Sequence, residues 1–100
     1  MKVIITDEAF ESLEDIVVFI SHSSNESKAL AVGTSLINLA LTLDNVPLRG
    51  PIEVELMGEA NEYRRLIFEH RYKVIYRVAN NIVYVVRFFD TRQNPSKMKG

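Results

Sequence analysis

Seven basic side chains lie in or beside three β-like stretches of the C-terminal half of the chain. A guanidinium group binds a phosphate or a carboxylate through paired hydrogen bonds, and an ammonium group attracts the same anions as a point charge. On neighbouring strands, several of these side chains could face the same way. The pattern predicts a surface for an anionic partner, which we call the basic face. Its cations are Arg64, Arg65, Arg71, Lys73, Arg77, Arg87 and Arg92.

Arg87 is the most unusual member of this group, because it interrupts an otherwise apolar run. An unpaired charge is costly to bury, so we expect this side chain to reach water, a carboxylate or a ligand. Phe88 and Phe89 follow it directly. Their rings could stack a nucleic-acid base, although packing within the sheet is the simpler interpretation.

The usual signatures of an enzyme are absent from the sequence. There is no cysteine for thiol or metal chemistry, and the four glycines are scattered rather than grouped in a phosphate-binding loop. The histidines, His22 and His70, lie in polar breaks and lack the spacing of metal ligands. We therefore expect no metal and no cofactor, and the sequence favours a binding protein over an enzyme.

Length and charge suggest a single polarised domain over residues 1–100. Hydrophobic residues make up 47% of the chain and charged residues 25%, which is typical of a globular protein. The net charge is −1, but residues 1–50 carry three bases against seven acids, whereas residues 63–100 carry nine bases against two acids. No apolar run is long enough for a membrane span and no leader is visible, so we expect a cytoplasmic protein without a membrane partner.

The first half of the chain predicts one strand and two helices. Residues 2–6 are rich in β-branched side chains and predict a strand. Apolar residues at helical spacing predict helices over about 7–21 and about 25–44. Thr6 is expected to cap the first helix and Ser23 the second. Two such helices joined by a short polar loop form an antiparallel hairpin.

Most of the second half predicts strands. Residues 52–56 alternate at period two and predict a short or edge strand. Residues 63–68, 71–78 and 82–90 predict three longer strands, with Asn80 and Asn81 as a hairpin turn and a polar tail after Asp90. The order of strand, helix, helix and three strands predicts an α+β fold, with both helices on one face of a mainly antiparallel sheet.

Strict alternation assigns each side chain of the last two strands to a face. One face is purely apolar and should receive the helices; it would comprise Val74, Tyr76, Val78, Ile82, Tyr84, Val86 and Phe88. The other face mixes bases with apolar residues and should be partly open; it would comprise Lys73, Ile75, Arg77, Val83, Val85, Arg87 and Phe89.

Four segments occur in a recognisable order: DEAFESLEDIVVFI at 7–20, PLRG at 47–50, YRRLIF at 63–68 leading into RYKVIYRV, and VYVVRFFDTRQNP at 83–95. Their order and spacing resemble the RelE/ParE toxin superfamily of bacterial type II toxin–antitoxin systems over nearly the whole chain. The resemblance implies a microbial-RNase-like α+β fold and a toxin that arrests growth. It also implies neutralisation by a cognate antitoxin, which uses apolar grooves and the basic face, in a complex that can be a larger oligomer.

Two activities divide the members of this superfamily. RelE-like members cleave mRNA on the ribosome, whereas ParE-like members inhibit DNA gyrase. The resemblance places Lys73 and Arg92 where RelE-like enzymes carry arginines. However, residues 93–100 lack the tyrosine of those enzymes, and residues 52–62 are acidic where the enzymes are rich in lysine. The ending FDTRQNP is closer to ParE-like members.

The leading hypothesis is therefore a toxin that binds gyrase, with Arg87 and Arg92 as the residues that matter most. Its surface for target and antitoxin would comprise Arg64, Arg71, Lys73, Arg77, Arg87, Phe89 and Arg92. The alternative is a ribosome-dependent endoribonuclease, in which the scissile phosphate is neutralised by Lys73, Arg77, Arg87 and Arg92. A third interpretation is an antitoxin-binding protein without toxicity.

Overall fold

The computed structural model describes residues 1–58 and 61–92 of the chain. The helices and strands follow the predicted order. They are β1 (Lys2–Ile5), α1 (Asp7–Ser23), α2 (Glu26–Leu41), β2 (Arg64–Phe68), β3 (Tyr72–Ala79) and β4 (Ile82–Asp90). The predicted polar tail lies outside the described residues from Gln93 onward.

The four strands form one sheet in the order β1-β4-β3-β2. β1 runs parallel to β4, and the β4–β3 and β3–β2 pairs are antiparallel. The two helices pack on one face of this sheet, where Leu13 and Leu36 are buried in the same core as Val74, Tyr76 and Val85. The predicted α+β architecture is confirmed.

Side-chain oxygens at both helix starts explain where the helices begin. The Thr6 side chain accepts a hydrogen bond from the Ala9 N–H at 3.2 Å, as predicted. For α2 the cap is Asn25, whose Oδ1 accepts from the Lys28 N–H at 2.7 Å. Ser23 was predicted to be this cap, and that prediction is wrong. Its hydroxyl instead donates to the Phe19 carbonyl in the last turn of α1.

A β-bulge in β4 overturns part of the predicted assignment of faces. Ile75 pairs with Arg87, but the next residue, Tyr76, pairs with Val85, so Val86 is the extra residue of β4. The extra residue reverses the alternation on its N-terminal side. Residues 82–86 therefore face opposite to the prediction: Val83 and Val85 lie in the core beneath the helices, and Val86 packs on the other face. The predicted sides of Arg87, Phe88 and Phe89 are right.

The second face of the sheet is partly covered by the segment that precedes β2. Within residues 52–56, only Ile52 forms a β-bridge, to Arg64, and Val54–Leu56 is a single 3-10 turn, so the strand predicted over 52–56 is wrong. Leu56 and Tyr63 from this part of the chain bury Ile75 and Phe89 in a second small apolar cluster. The segment thus brings its own polar side chains onto the basic face.

Both hairpins close with two residues of positive φ, as type I′ turns require. Asn80 and Asn81 have φ values of 54° and 61° and join β3 to β4, which confirms the predicted turn. Glu69 and His70, at 54° and 57°, join β2 to β3. These turns fix the register of the strands that carry the basic residues.

Candidate functional site

A buried carboxylate neutralises part of the basic face from within. Glu53 is fully buried, and its Oε1 accepts a hydrogen bond from Lys73 Nζ at 2.5 Å. Its Oε2 forms an ion pair with Arg65, at 3.3 Å from Nη1. The Glu53 N–H also donates to the Tyr63 carbonyl, which fixes the backbone of this segment. Lys73 and Arg65 are therefore already paired with an anion of the chain itself.

Arg92, beyond the end of β4, is engaged in a similar way. Its Nη2 lies 2.6 Å from Asp90 Oδ2 and its Nε lies 3.0 Å from Oδ1, a two-point contact. The guanidinium also lies over the ring of Phe19, at 5.4 Å from its centroid. Burial alone would raise the pKa of Asp90, but the hydrogen bonds from the Arg92 side chain and backbone outweigh it and hold that pKa below its ordinary value.

Asp90→Asn is expected to lower the free energy of unfolding by about 1 kcal/mol at neutral pH, because it removes the charge from a half-exposed ion pair. The native pKa of Asp90 is depressed, so this contribution is present above its unfolded pKa and is lost as pH falls through the native value. Urea unfolding of both proteins at neutral and acid pH measures it. A difference that is equally large in acid would contradict the prediction, and Asp44→Asn, an exposed change, is the control.

The PLRG motif ends in a glycine that is held between β2 and β3. The Gly50 N–H donates to the hydroxyl of Tyr76 at 2.9 Å, and the Gly50 carbonyl accepts from Arg64 Nη1 at 2.8 Å. Burial is the main cause that raises the pKa of Tyr76, so its hydroxyl stays protonated at neutral pH. Arg64 thus has a structural contact, with Glu62 at 4.0 Å as a weak ion partner.

Two further members of the predicted surface occupy different environments. Arg71 is exposed at the end of the β2–β3 turn. Phe89 is only 2% exposed and lies in the second apolar cluster, and Phe88 is buried in the core beneath the helices. Both rings therefore pack within the protein, in agreement with the simpler interpretation of the sequence.

Arg77 and Arg87 are the two remaining cations of the basic face. Among residues 1–58 and 61–92, neither has a carboxylate within ion-pair distance. The guanidinium of Arg77 lies over the ring of Tyr84, at 4.6 Å from its centroid. The Nε of Arg87 is buried and has no hydrogen-bond partner within the described part of the chain. The β-bulge explains the contact between Arg77 and Tyr84, since it turns Tyr84 toward the face that carries Arg77.

Both side chains line one open pocket of about 480 Å³. The pocket lies where β1 passes into α1, and Glu8 in the first turn of that helix lines its wall together with Asn61 and Tyr63. The hydroxyl of Ser12 accepts a hydrogen bond from the Phe88 N–H at 2.9 Å and so anchors β4 to α1 next to Arg87. The strand that carries Arg87 is therefore fixed to α1 beside this pocket.

This arrangement can bind an anion, and it offers little for general acid–base catalysis. The described lining of the pocket contains no histidine, and its one carboxylate is Glu8. Within residues 1–58 and 61–92, no group of three histidine, aspartate or glutamate side chains is placed to hold a metal ion. Neither α1 nor α2 combines the length and apolarity that crossing a membrane demands.

Four further residues belong to the site without being predicted from the sequence, namely Glu53, Asn61, Tyr63 and Glu8. Glu53 stands in an acidic stretch and gives no local sign of its burial. Glu8 lies in a stretch of α1 that is rich in acids, where an exposed acid is the ordinary expectation. Tyr63 is the one residue of the four with a signal in the sequence. It stands at the start of a predicted strand, a position that favours packing of its ring against the sheet.

A parallel β1–β4 pair, a helical hairpin on one face of the sheet and a cationic pocket on the other define a small α+β domain with a basic face. The family model described as the ParE toxin of type II toxin–antitoxin system, parDE, matches residues 3–95. The chain therefore belongs to the ParE toxin family. This confirms the predicted resemblance and its ParE-like branch.

A solved structure, the chromosomal ParDE TA system from P. aeruginosa, has a chain of the same fold. The two chains are 19% identical and superpose with a TM-score of 0.75, over 90% of this chain and 95% of that chain. At this identity the likeness shows the fold. Comparison with curated proteins gives no match.

Proposed function

We propose that this toxin arrests growth in the cytoplasm by binding and inhibiting DNA gyrase, and that a cognate antitoxin neutralises it. The observation that carries the proposal is that carboxylates of the chain itself already pair with several cations of the basic face. Of the four cations that the nuclease alternative needs, Lys73 and Arg92 are already paired with Glu53 and Asp90. Paired cations contribute less positive charge to a bound phosphate, so this face is better suited to contact with a protein.

The remaining two cations also favour binding over phosphodiester cleavage. Arg77 and Arg87 share their pocket with the carboxylate of Glu8, which would oppose the approach of an RNA backbone. A nuclease of this kind accelerates the reaction by concentrating positive charge on the scissile phosphate. Here the charge is reduced by three carboxylates of the chain, which are those of Glu53, Asp90 and Glu8.

An antitoxin is supported by the helical side of the molecule. Phe10, Val18 and Phe19 on α1 are each about half exposed, and Leu30 on α2 is 60% exposed. Large apolar side chains that are this exposed are candidates for contact with a partner. The similar solved chain belongs to a ParDE system, which agrees with an antitoxin of the ParD type for this chain.

The direct test compares gyrase with the ribosome. The purified chain is added to a supercoiling assay with gyrase and to ribosomes programmed with mRNA. We expect supercoiling to be inhibited and the mRNA to stay intact, and we expect the Arg77→Gln/Arg87→Gln variant to inhibit at least tenfold less. Lys28→Gln, an exposed change on α2, is the matched control and should inhibit like the wild type.

Pulse-labelling of DNA and protein synthesis in bacteria, after induction of the chain without its antitoxin, tests the same proposal in cells. Early loss of DNA synthesis supports gyrase as the target. A fall in protein synthesis with cleaved mRNA would contradict the proposal and favour the endoribonuclease. If neither synthesis changes while an antitoxin still binds, the chain is an antitoxin-binding protein without toxicity.

A further inference from the structure

We infer that the pocket between Arg77 and Arg87 is a binding site for a single carboxylate side chain of a partner protein, one that carries a basic residue nearby to face Glu8. The inference rests on the proposed function only for the existence of a protein partner. The site itself follows from the donors, the size and the charge of the pocket.

The donors are present before any ligand arrives. Arg77 is held over the ring of Tyr84, so its guanidinium has lost part of its freedom in the unbound protein. Arg87 has a buried Nε–H without an acceptor among the described residues, and a buried donor without a partner is unfavourable. A ligand oxygen that accepts from Arg87 would remove that penalty.

A third donor lies on the wall that the covering segment supplies. Asn61 Nδ2 approaches the hydroxyl oxygen of Tyr63 at 3.4 Å, so the hydroxyl hydrogen of Tyr63 can point elsewhere. Both side chains line the pocket with the two arginines. Two guanidinium groups and a phenol around one cavity match the acceptor lone pairs of a carboxylate.

Size and charge distinguish a carboxylate from a nucleic-acid backbone. A volume of about 480 Å³ holds one or two side chains of a peptide. Glu8 stands on the wall, and the same helix carries further acids at Asp7, Glu11, Glu14 and Asp15. A polyanion that reached the two arginines would meet the carboxylate of Glu8, whereas a peptide can place a base there.

The test uses blocked tripeptides and the purified chain. The Nε–H signals of its arginines are followed by NMR as Lys-Ala-Glu, Lys-Ala-Gln, inorganic phosphate or a six-nucleotide single-stranded RNA is added. We expect Lys-Ala-Glu to shift the Arg87 signal saturably and to bind about tenfold tighter than Lys-Ala-Gln, since the loss of a charge-assisted hydrogen bond has an effect of that order. Phosphate and RNA should bind more weakly than Lys-Ala-Glu.

Three variants separate the roles of the residues. Arg87→Gln should weaken the binding of Lys-Ala-Glu about tenfold, and Arg49→Gln, an exposed arginine outside the pocket, should leave it unchanged. Glu8→Gln should weaken Lys-Ala-Glu about threefold and strengthen the RNA several-fold. A structural role of Glu8 alone would not move the two ligands in opposite directions.

Two results would overturn the inference. One is tighter binding of RNA or phosphate than of Lys-Ala-Glu at Arg77 and Arg87, which would make the pocket a phosphate site. The other is absence of saturable peptide binding by a wild-type chain that still inhibits gyrase, which would leave the proposed function standing without this site. Peptide binding by a chain that does not inhibit gyrase would support the site and contradict only the target.

Discussion

Replacing Gly50 by alanine is expected to destabilise the protein by about 3 kcal/mol or more. A Cβ at this position would press against the backbone carbonyl of Arg65, closer than real Cβ atoms come to other atoms, and would also lie 2.9 Å from the Tyr76 hydroxyl. The backbone of β2 cannot yield without breaking its pairing with β3. The same shift would break the hydrogen bond from the Gly50 N–H to Tyr76.

Urea unfolding of the purified variants measures this effect, with Gly58→Ala as the matched control. No atom of residues 1–58 and 61–92 lies within 4 Å of a Cβ added at Gly58, so that change should alter stability by about 0.5 kcal/mol at most. Tyr76→Phe should cost about 1–3 kcal/mol, because it leaves the buried Gly50 N–H without its acceptor. If Gly50→Ala proved as stable as Gly58→Ala, the close packing of the PLRG motif against β2 would be wrong.

Glu53→Ala is expected to lower the free energy of unfolding by about 3 kcal/mol, since removing one partner of a buried ion pair leaves the other charge uncompensated. Two cations lose their anion at once, Lys73 and Arg65, which are 16% and 22% exposed. The void left by a fully buried side chain adds to the loss. The segment over Ile75 and Phe89 should then open first, and faster hydrogen exchange at the backbone N–H of position 53 would detect this.

Glu55→Ala is the matched control for this prediction. Glu55 is exposed and lies two residues further along, so its loss should change stability by about 0.5 kcal/mol at most. The double variant Glu53→Gln/Lys73→Met should be more stable than the sum of its single changes predicts, because it removes both members of one pair. Strict additivity, or a Glu53→Ala protein as stable as the wild type, would show that the pair contributes nothing.

The internal carboxylates divide five of the seven cations of the basic face into two groups. Lys73, Arg65 and Arg92 hold the fold together through Glu53 and Asp90. Arg77 and Arg87 line a pocket, and the buried Nε–H of Arg87 has no hydrogen-bond acceptor among the residues that the structure describes. A variant of the first group will lose activity through stability, whereas a variant of the second should lose it at unchanged stability. Measuring both quantities for each variant is therefore essential to assign a role.

The order and type of the helices and main strands can be predicted from the sequence alone, and so can the Asn80–Asn81 turn and the resemblance to the toxin family. These features depend on local properties. Apolar spacing along 7–21 and 25–44 defines two helices wherever they pack, and two asparagines in succession accept positive φ without outside help. The cations of β3 and β4 were found in the same way, from residue type and approximate position.

Which of those cations are paired depends on contacts between distant parts of the chain. The Glu53 carboxylate meets Lys73 across 20 residues of sequence, and nothing near Glu53 marks it as buried. The extra residue at Val86 is chemically ordinary, yet it turns Tyr84 toward Arg77 and sends Val83 and Val85 into the core. Contacts between distant segments depend on how the whole sheet packs. The same is true of the face on which each side chain lies beyond a bulge, so periodicity along the chain cannot determine either.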